Sequence, residues 1–287
     1  MEYDNLLVDI DGPVATLTLN RPERLNAISG GLFTDLENAL RELNDGDEVR
    51  VIRLRGAGRE FCAGYDLTPG QSTFYAPKRR DRSKRGEAMG DLGESRIAID
   101  RESLMDGTER WLRIWSYRKP IIAQVHGLCL SGALDMIGAC DIVFAADNSR
   151  FGHPAARGMG IPITLGMLPL KIGPAATKEL LFTGDLIDAD EAKQLGLIRR
   201  VYAADQLDAK TLEFCKRIAL NSLDALTVHK HVTNRWAELA GVRMAARECA
   251  DFDAIFHEAP SMAKFSQLSR TEGLKAALDW RDRPYRK

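Results

Sequence analysis

The chain has 287 residues, 45% of them apolar, which is enough for one large globular domain or a domain with an appendage. Its 40 basic and 41 acidic residues leave a formal charge of −1, so no global field draws nucleic acid or an anionic membrane. The longest uncharged stretches, 120–134 and 158–170, are shorter than the roughly 18–20 residues of a membrane span. Glu2, Asp4 and Asp9 stand where a secretory signal has basic and then apolar residues, so a cytoplasmic protein is expected.

Apolar alternation over 5–10 and 14–19, broken by Asp11-Gly12-Pro13, predicts a β-hairpin. Ser29 can cap a helix over 30–43, where Leu32, Phe33, Leu36, Leu40 and Leu43 recur at three- and four-residue spacing. A strand over 49–55 follows, and this alternation predicts an α/β layered core. Residues 68–96 then lose the pattern. They hold Pro69, Gly70, Pro77, Gly86, Gly90 and Gly93, and the run 78–85 has six basic residues and one acidic, so a long mobile loop is expected. Helical spacing returns over 97–117 and stops at Lys119-Pro120. Strands are expected over 121–126 and 142–146, and helices over 173–183 and 190–195, with Asp188 or Asp190 as a cap. From 203 to 280 the pattern is mostly helical. A soft boundary near Val201 separates a mixed core, 1–200, from a helical region, 201–287.

Cys62, Cys129, Cys140, Cys215 and Cys249 are odd in number and form no Cys-x-x-Cys pair, which argues against a disulfide framework or a thiolate zinc site. No His-Glu-x-x-His, no phosphate-binding Gly-x-x-x-x-Gly-Lys-Ser/Thr and no dinucleotide-binding glycine motif behind a strand occurs. No metal and no resident cofactor is expected.

Two segments share one logic. Phe61-Cys62-Ala63-Gly64-Tyr65-Asp66 follows the strand at 49–55, and Gly127-Leu128-Cys129-Leu130-Ser131-Gly132-Ala133-Leu134-Asp135 follows the strand at 121–126 and leads into a helix. Small residues at strand ends let backbone N–H groups approach a ligand, and a helix start adds unpaired donors and partial positive charge. Two N–H groups aimed at one oxygen make an oxyanion hole.

In this order the segments resemble the crotonase superfamily, the enoyl-CoA hydratase/isomerase group. The resemblance is carried by Asn20-Arg21-Pro22 with Leu25-Asn26-Ala27, the segment at 61–66, Lys119-Pro120 with Val125-His126-Gly127, and Ser131-Gly132 through Cys140-Asp141-Ile142. Phe151-Gly152-His153-Pro154, Leu181-Phe182-Thr183-Gly184, Glu191-Ala192 and Gly196-Leu197 complete it over about 14–200, and Glu272-Gly273 also fits. It implies an α/β fold built as a spiral of ββα repeats, with a C-terminal helical region that assembles trimers, often stacked as hexamers. The implied substrate is an acyl-CoA thioester, coenzyme A being part of the substrate, and the shared step is stabilisation of its enolate by two backbone N–H groups. By position these are Tyr65 and Gly132.

The acid and base residues depart from the family pattern. Hydratases of the family use two glutamates; the first falls on Asp135, and the second position, directly after Phe-Gly-x-Pro, is Ala155. An alanine cannot move a proton. The candidate catalytic residues are therefore Tyr65, Gly132, Asp135 and His153, with Arg157 as a structural group or a partner for Asp135. The candidate substrate-binding residues are Ala63, Gly64, Asp66, Leu67 and Leu130. The Asp66 and Asp141 carboxylates themselves read as turn and loop anchors. The family's C-terminal lysine for the CoA phosphates falls on Trp280, which leaves Arg281 and Arg283 as substitutes and the run 78–85 as a further source of charge. The leading expectation is an enoyl-CoA hydratase or isomerase using Asp135. A C–C bond hydrolase using Asp135 and His153 is the alternative, and a non-catalytic RNA- or partner-binding homologue using the basic run is the alternative of another class.

Overall fold

A computed structural model describes residues 2–68, 95–162, 164 and 167–286. The basic run 78–85, and nearly all of the loop expected over 68–96, lie outside these residues. Among the described residues no helix is long and apolar enough to cross a membrane.

The expected hairpin is β1 (Leu6–Asp11) and β2 (Val14–Leu19), paired antiparallel across Gly12. Gly12 turns the chain at φ +55°, a conformation that costs glycine little. From β2 the sheet continues in parallel through β3 (Val51–Gly56), β4 (Ile121–Val125), β6 (Ile142–Ala146) and β9 (Arg200–Tyr202). Strands β2, β3 and β4 are buried on both faces, so Thr16, Thr18 and Arg53, which alternate with apolar residues in β2 and β3, are buried as well. One face, carrying Leu17, Leu54 and Ala123, joins the main core. On the other, Val14, Val51 and Ile122 pack with Cys215 and Ala219 of α6 (Leu207–Ile218) and its end.

A second sheet holds β5 (Leu128–Leu130), β7 (Arg150–Gly152) and β8 (Leu186–Asp188), in that order. Strand β4 enters β5 through His126-Gly127, and β6 enters β7 through residues 147–149. The segment after β3 joins the same small sheet by a bridge from Cys62 to Cys129. Each coil of the chain thus adds one stretch to each sheet and then a helix, which is the ββα spiral. Helix α1 (Gly30–Asp45) opens on Ser29, whose Oγ accepts from Leu32 N–H at 3.1 Å. Next come α2 (Arg96–Trp115), α3 (Gly132–Gly138), α4 (Met167–Thr183) and α5 (Ala189–Leu195), the last capped by Asp188. Residues 167–183 are two helical stretches that meet at Gly173, whose φ 75° and ψ 162° are not helical; the second, opened by Pro174, is the helix expected over 173–183, and the first was not expected.

Beyond α6 lie α7 (Leu223–Leu239), α8 (Val242–Phe256), α9 (Pro260–Thr271) and α10 (Leu274–Asp282). Helix α8 packs along α2, and α10 packs against α9. Lys230 of α7 is buried and ties this region to the sheet, donating to Lys119 O (3.0 Å) and Asp141 Oδ2 (2.8 Å).

Candidate active site

The segments 61–66 and 128–132 run side by side as a short parallel ladder: Cys62 N–H donates to Leu128 O (3.0 Å) and Leu130 N–H to Cys62 O (3.1 Å). One step further the ladder opens. Gly64 O, the next acceptor for this strand pair, is taken by Ile28 N–H at 2.8 Å, and Gly64 N–H turns to Cys62 Sγ at 3.5 Å. Gly132 N–H, first in α3, is left with no acceptor among the described residues. Gly64 O and Asp66 N–H both face Ile28, so strand alternation turns Tyr65 N–H to the opposite side, where residues 128–132 lie. Two glycines make this approach possible. A Cβ on Gly64 (φ +98°) would lie 2.8 Å from Leu130 O, and one on Gly132 would lie 2.6 Å from the Tyr65 ring. Ser131, between strand and helix, holds φ 49°, ψ −115°, a conformation that costs a non-glycine residue about 1–3 kcal/mol.

Asp135 lies one turn into α3 and is 1% exposed. Its Oδ2 accepts from Tyr65 Oη–H at 2.9 Å, and its Oδ1 accepts from Thr164 Oγ1 (2.6 Å) and N–H (3.1 Å). Tyr65 Oη in turn accepts from Trp111 Nε1–H at 3.0 Å. Burial lifts the Asp135 pKa to about 6 even against the hydrogen bonds from Thr164 and Tyr65. The Tyr65 ring, not the Asp135 carboxylate, faces the adjoining space, so Asp135 reaches a ligand there only through the phenol.

That space is a cavity of about 210 Å³, mostly apolar. Ala63, Tyr65, Leu67, Leu130 and Ser131 form the wall nearest the ladder, and Leu104 and Leu278 close it from α2 and α10. His153, Ala155, Gly160, Asp253 and Arg281 are among the residues of the remaining wall. His153 is buried, with Nε2 3.4 Å from Gly160 O and Nδ1 without a partner among the described residues. Burial pushes its pKa down to about 4, so the ring is neutral near pH 7. Its hydrogen bond and those of Asp135 go to different groups. The Arg281 guanidinium pairs with Asp282 at 2.8 Å and reaches Met159 Sδ at 2.9 Å.

Several expected residues stand elsewhere. Asp66 pairs with Arg21 at 3.0 Å and accepts from Thr68 N–H at 3.0 Å, away from the cavity lining. Arg283 is exposed and outside the lining. Arg157 binds Asp185 (2.6 Å), Asp282 (3.4 Å) and Thr183 O (2.9 Å), and so ties α4 to α10, with no bond to Asp135.

Comparison with known proteins identifies this architecture. The family model for enoyl-CoA hydratase/isomerase matches residues 9–88 and 85–282. The chain belongs to the enoyl-CoA hydratase/isomerase family. EchA13 of Mycobacterium tuberculosis is 33% identical over 279 residues, 96% of this chain and 86% of that protein. The peroxisomal Delta(3,5)-Delta(2,4)-dienoyl-CoA isomerase of Arabidopsis thaliana is 32% identical over 236 residues, 80% of each chain. The crystal structure of an enoyl-CoA hydratase/isomerase from Xanthobacter autotrophicus Py2 superposes with a TM-score of 0.84 at 29% identity, covering 100% of both chains.

Within this enoyl-CoA hydratase/isomerase chain, Ala155 lines the cavity at the position where the resemblance sets a second glutamate. Trp280, at the position of the family lysine, packs instead against the cluster of Met159, Phe265, Leu268 and Ala277. Sequence reasoning missed Asp253, which faces the cavity from α8. A signal existed: Ala246, Cys249, Ala250 and Ala254 mark the buried face of α8, and Asp253 falls on it.

Proposed function

We propose that this protein binds an acyl-CoA thioester with its acyl chain in the 210 Å³ cavity and stabilises the thioester enolate with the N–H groups of Tyr65 and Gly132. The observation that carries this reading is the opened ladder beside the cavity, where Gly132 N–H has no acceptor among the described residues and Tyr65 N–H turns toward the segment that bears it. Removing one such donor typically costs about 3–4 kcal/mol of barrier, so this pair supplies much of the catalysis. The reaction is of the enoyl-CoA hydratase or isomerase type. Because Ala155 brings no carboxyl, protons move through one acid/base group at a time, which suits a proton shift between two carbons or a water addition in which one group takes and returns the same proton. Asp135 contributes by fixing the Tyr65 phenol, and with it the segment that bears the Tyr65 N–H.

The test is α-hydrogen exchange. Butyryl-CoA incubated with the enzyme in D2O should gain deuterium next to the thioester, because an enolate must form and be reprotonated. Crotonyl-CoA and 3-enoyl-CoA, followed by mass spectrometry, then separate addition of water from isomerisation. Absence of both exchange and turnover would reject the reading. We further propose self-association through α7, where Val228, Val232, Trp236 and Leu239 share one exposed face, with the trimer of the family as the expected state. Light scattering gives the assembled mass; a monomer would contradict it.

A further inference from the structure

Ala155 leaves the family's second carboxylate position bare, yet the cavity is not without a carboxyl. Gly160 N–H donates to Ala155 O at 3.2 Å, so these two small residues lie together on one wall. A Cβ on Gly160 (φ +157°) would stand 3.2 Å from Asp253 Oδ1 and 3.4 Å from His257 Nε2. The missing side chain at Gly160 and the short one at Ala155 therefore open the space that Asp253 enters from α8. Asp253 Oδ1 accepts from Ile161 N–H at 2.9 Å, whereas Oδ2 accepts no hydrogen bond among the described residues. Behind Oδ1 stands His257 Nε2 at 3.6 Å, and His257 Nδ1 is bonded to Asp100 Oδ2 of α2 at 2.6 Å. Asp100, His257 and Asp253 thus form a line that runs from a half-buried carboxylate on α2 to the buried Asp253 at the cavity. An asparagine would hold Ile161 N–H equally well, without the cost of burying charge.

We propose that Asp253, oriented by the His257–Asp100 pair, is the acid/base group that exchanges protons with the acyl chain, in place of the carboxylate that Ala155 cannot supply. This deepens the enolate reading and rests on it. In water addition to a 2-enoyl thioester, the Asp253 carboxylate takes a proton from water as the water oxygen bonds to C3. The C2–C3 π pair shifts toward the thioester, forming the enolate held by the two N–H groups. Asp253 then returns its proton to C2, the enolate collapses to the carbonyl, and the carboxylate is regenerated. In isomerisation the same carboxylate takes the proton from C2 of a 3-enoyl thioester and returns it to C4. His257 and Asp100 are positioning residues.

The charged and titratable groups around Asp253 are His257 on its own helix, Asp100 on α2, Asp135 on α3, His153 beside β7 and Arg281 on α10. Burial raises the Asp253 pKa to about 6, with His257 pulling it down. Burial also opposes the charge on His257, but the bond to Asp100 and the charges of Asp253 and Asp100 outweigh it and raise the His257 pKa.

The experiment compares Asp253→Asn, Asp135→Asn and the wild type with crotonyl-CoA and a 3-enoyl-CoA, alongside butyryl-CoA affinity by calorimetry. The proposal expects Asp253→Asn to lose about 10²-fold or more in kcat, with butyryl-CoA affinity within about 3-fold, and Asp135→Asn to lose less. Near wild-type kcat in Asp253→Asn overturns the proposal and leaves the enolate reading intact. A wild type that neither binds nor turns over these thioesters removes both. His257→Gln supplies a second readout, which decides if Asp253→Asn does not fold. Loss of its positive charge should move the acidic limb of the kcat/KM profile to higher pH, a shift that a purely structural histidine would not give. An unmoved limb overturns the positioning of Asp253.

Discussion

Replacing Asp135 by asparagine keeps the shape of the side chain and removes its charge. Asp135 is 1% exposed, and burial, opposed by the hydrogen bonds from Thr164 and Tyr65, lifts its pKa from 3.8 to about 6. A carboxyl with a raised folded-state pKa holds its proton more tightly in the fold than in the unfolded chain. The fold bears no ionisation cost below about pH 4, and it loses stability as pH rises through about 6. At about 1.4 kcal/mol per tenfold change in proton affinity, the full loss is about 3 kcal/mol. Urea unfolding of Asp135→Asn and wild type across this window should show the difference, variant minus wild type, rising by about that amount between about pH 4 and pH 7. Asp253 titrates over the same range and its charge contributes to the Asp135 shift, so both proteins are compared in an Asp253→Asn background. A flat difference would refute the account of Asp135 as a buried carboxyl held behind Tyr65.

Gly132→Ala brings a Cβ to within 2.6 Å of the Tyr65 ring, which must move. Steady-state kinetics with crotonyl-CoA should show a loss on the order of 10²-fold, the size expected when a reacting geometry slips by about 1 Å. All five cysteines are buried, and burial pushes the Cys62 and Cys140 thiols up to about 12 and Cys129 well above its ordinary value. An aromatic disulfide reagent should therefore label the native protein slowly and all five thiols after unfolding. Lys230→Ala leaves Asp141 and the Lys119 carbonyl short of a buried partner, and should destabilise the fold by about 3 kcal/mol in the same urea assay.

The large sheet was legible because β2, β3, β4 and β6 are buried runs of five or six residues bounded by turn residues. The strands of the small sheet and β9 were not, since three residues are too few for periodicity to register. The close approach of the two segments was readable at Gly64 and Gly132, because a glycine needed for close approach leaves its mark in sequence. The role of Asp135 was not. Its place relative to the cavity depends on the rotamer of Tyr65, and neither spacing nor composition encodes which of two stacked side chains faces inward. Asp253 and His257 escaped for another reason. Asp253 on α8 lines the cavity, and His257 at the end of α8 joins it to Asp100, only because α8 packs along α2 more than a hundred residues away in sequence, beside a loop that Gly160 keeps open.

The arrangement of Tyr65 and Gly132 is tested most directly by infrared difference spectroscopy of butyryl-CoA carrying carbon-13 at the thioester carbonyl. Two N–H groups on that oxygen polarise the C=O bond, so the labelled stretch should fall in frequency on binding to the wild type and shift less in Gly132→Ala. A bound thioester whose carbonyl stretch stays at its value in water would contradict the account.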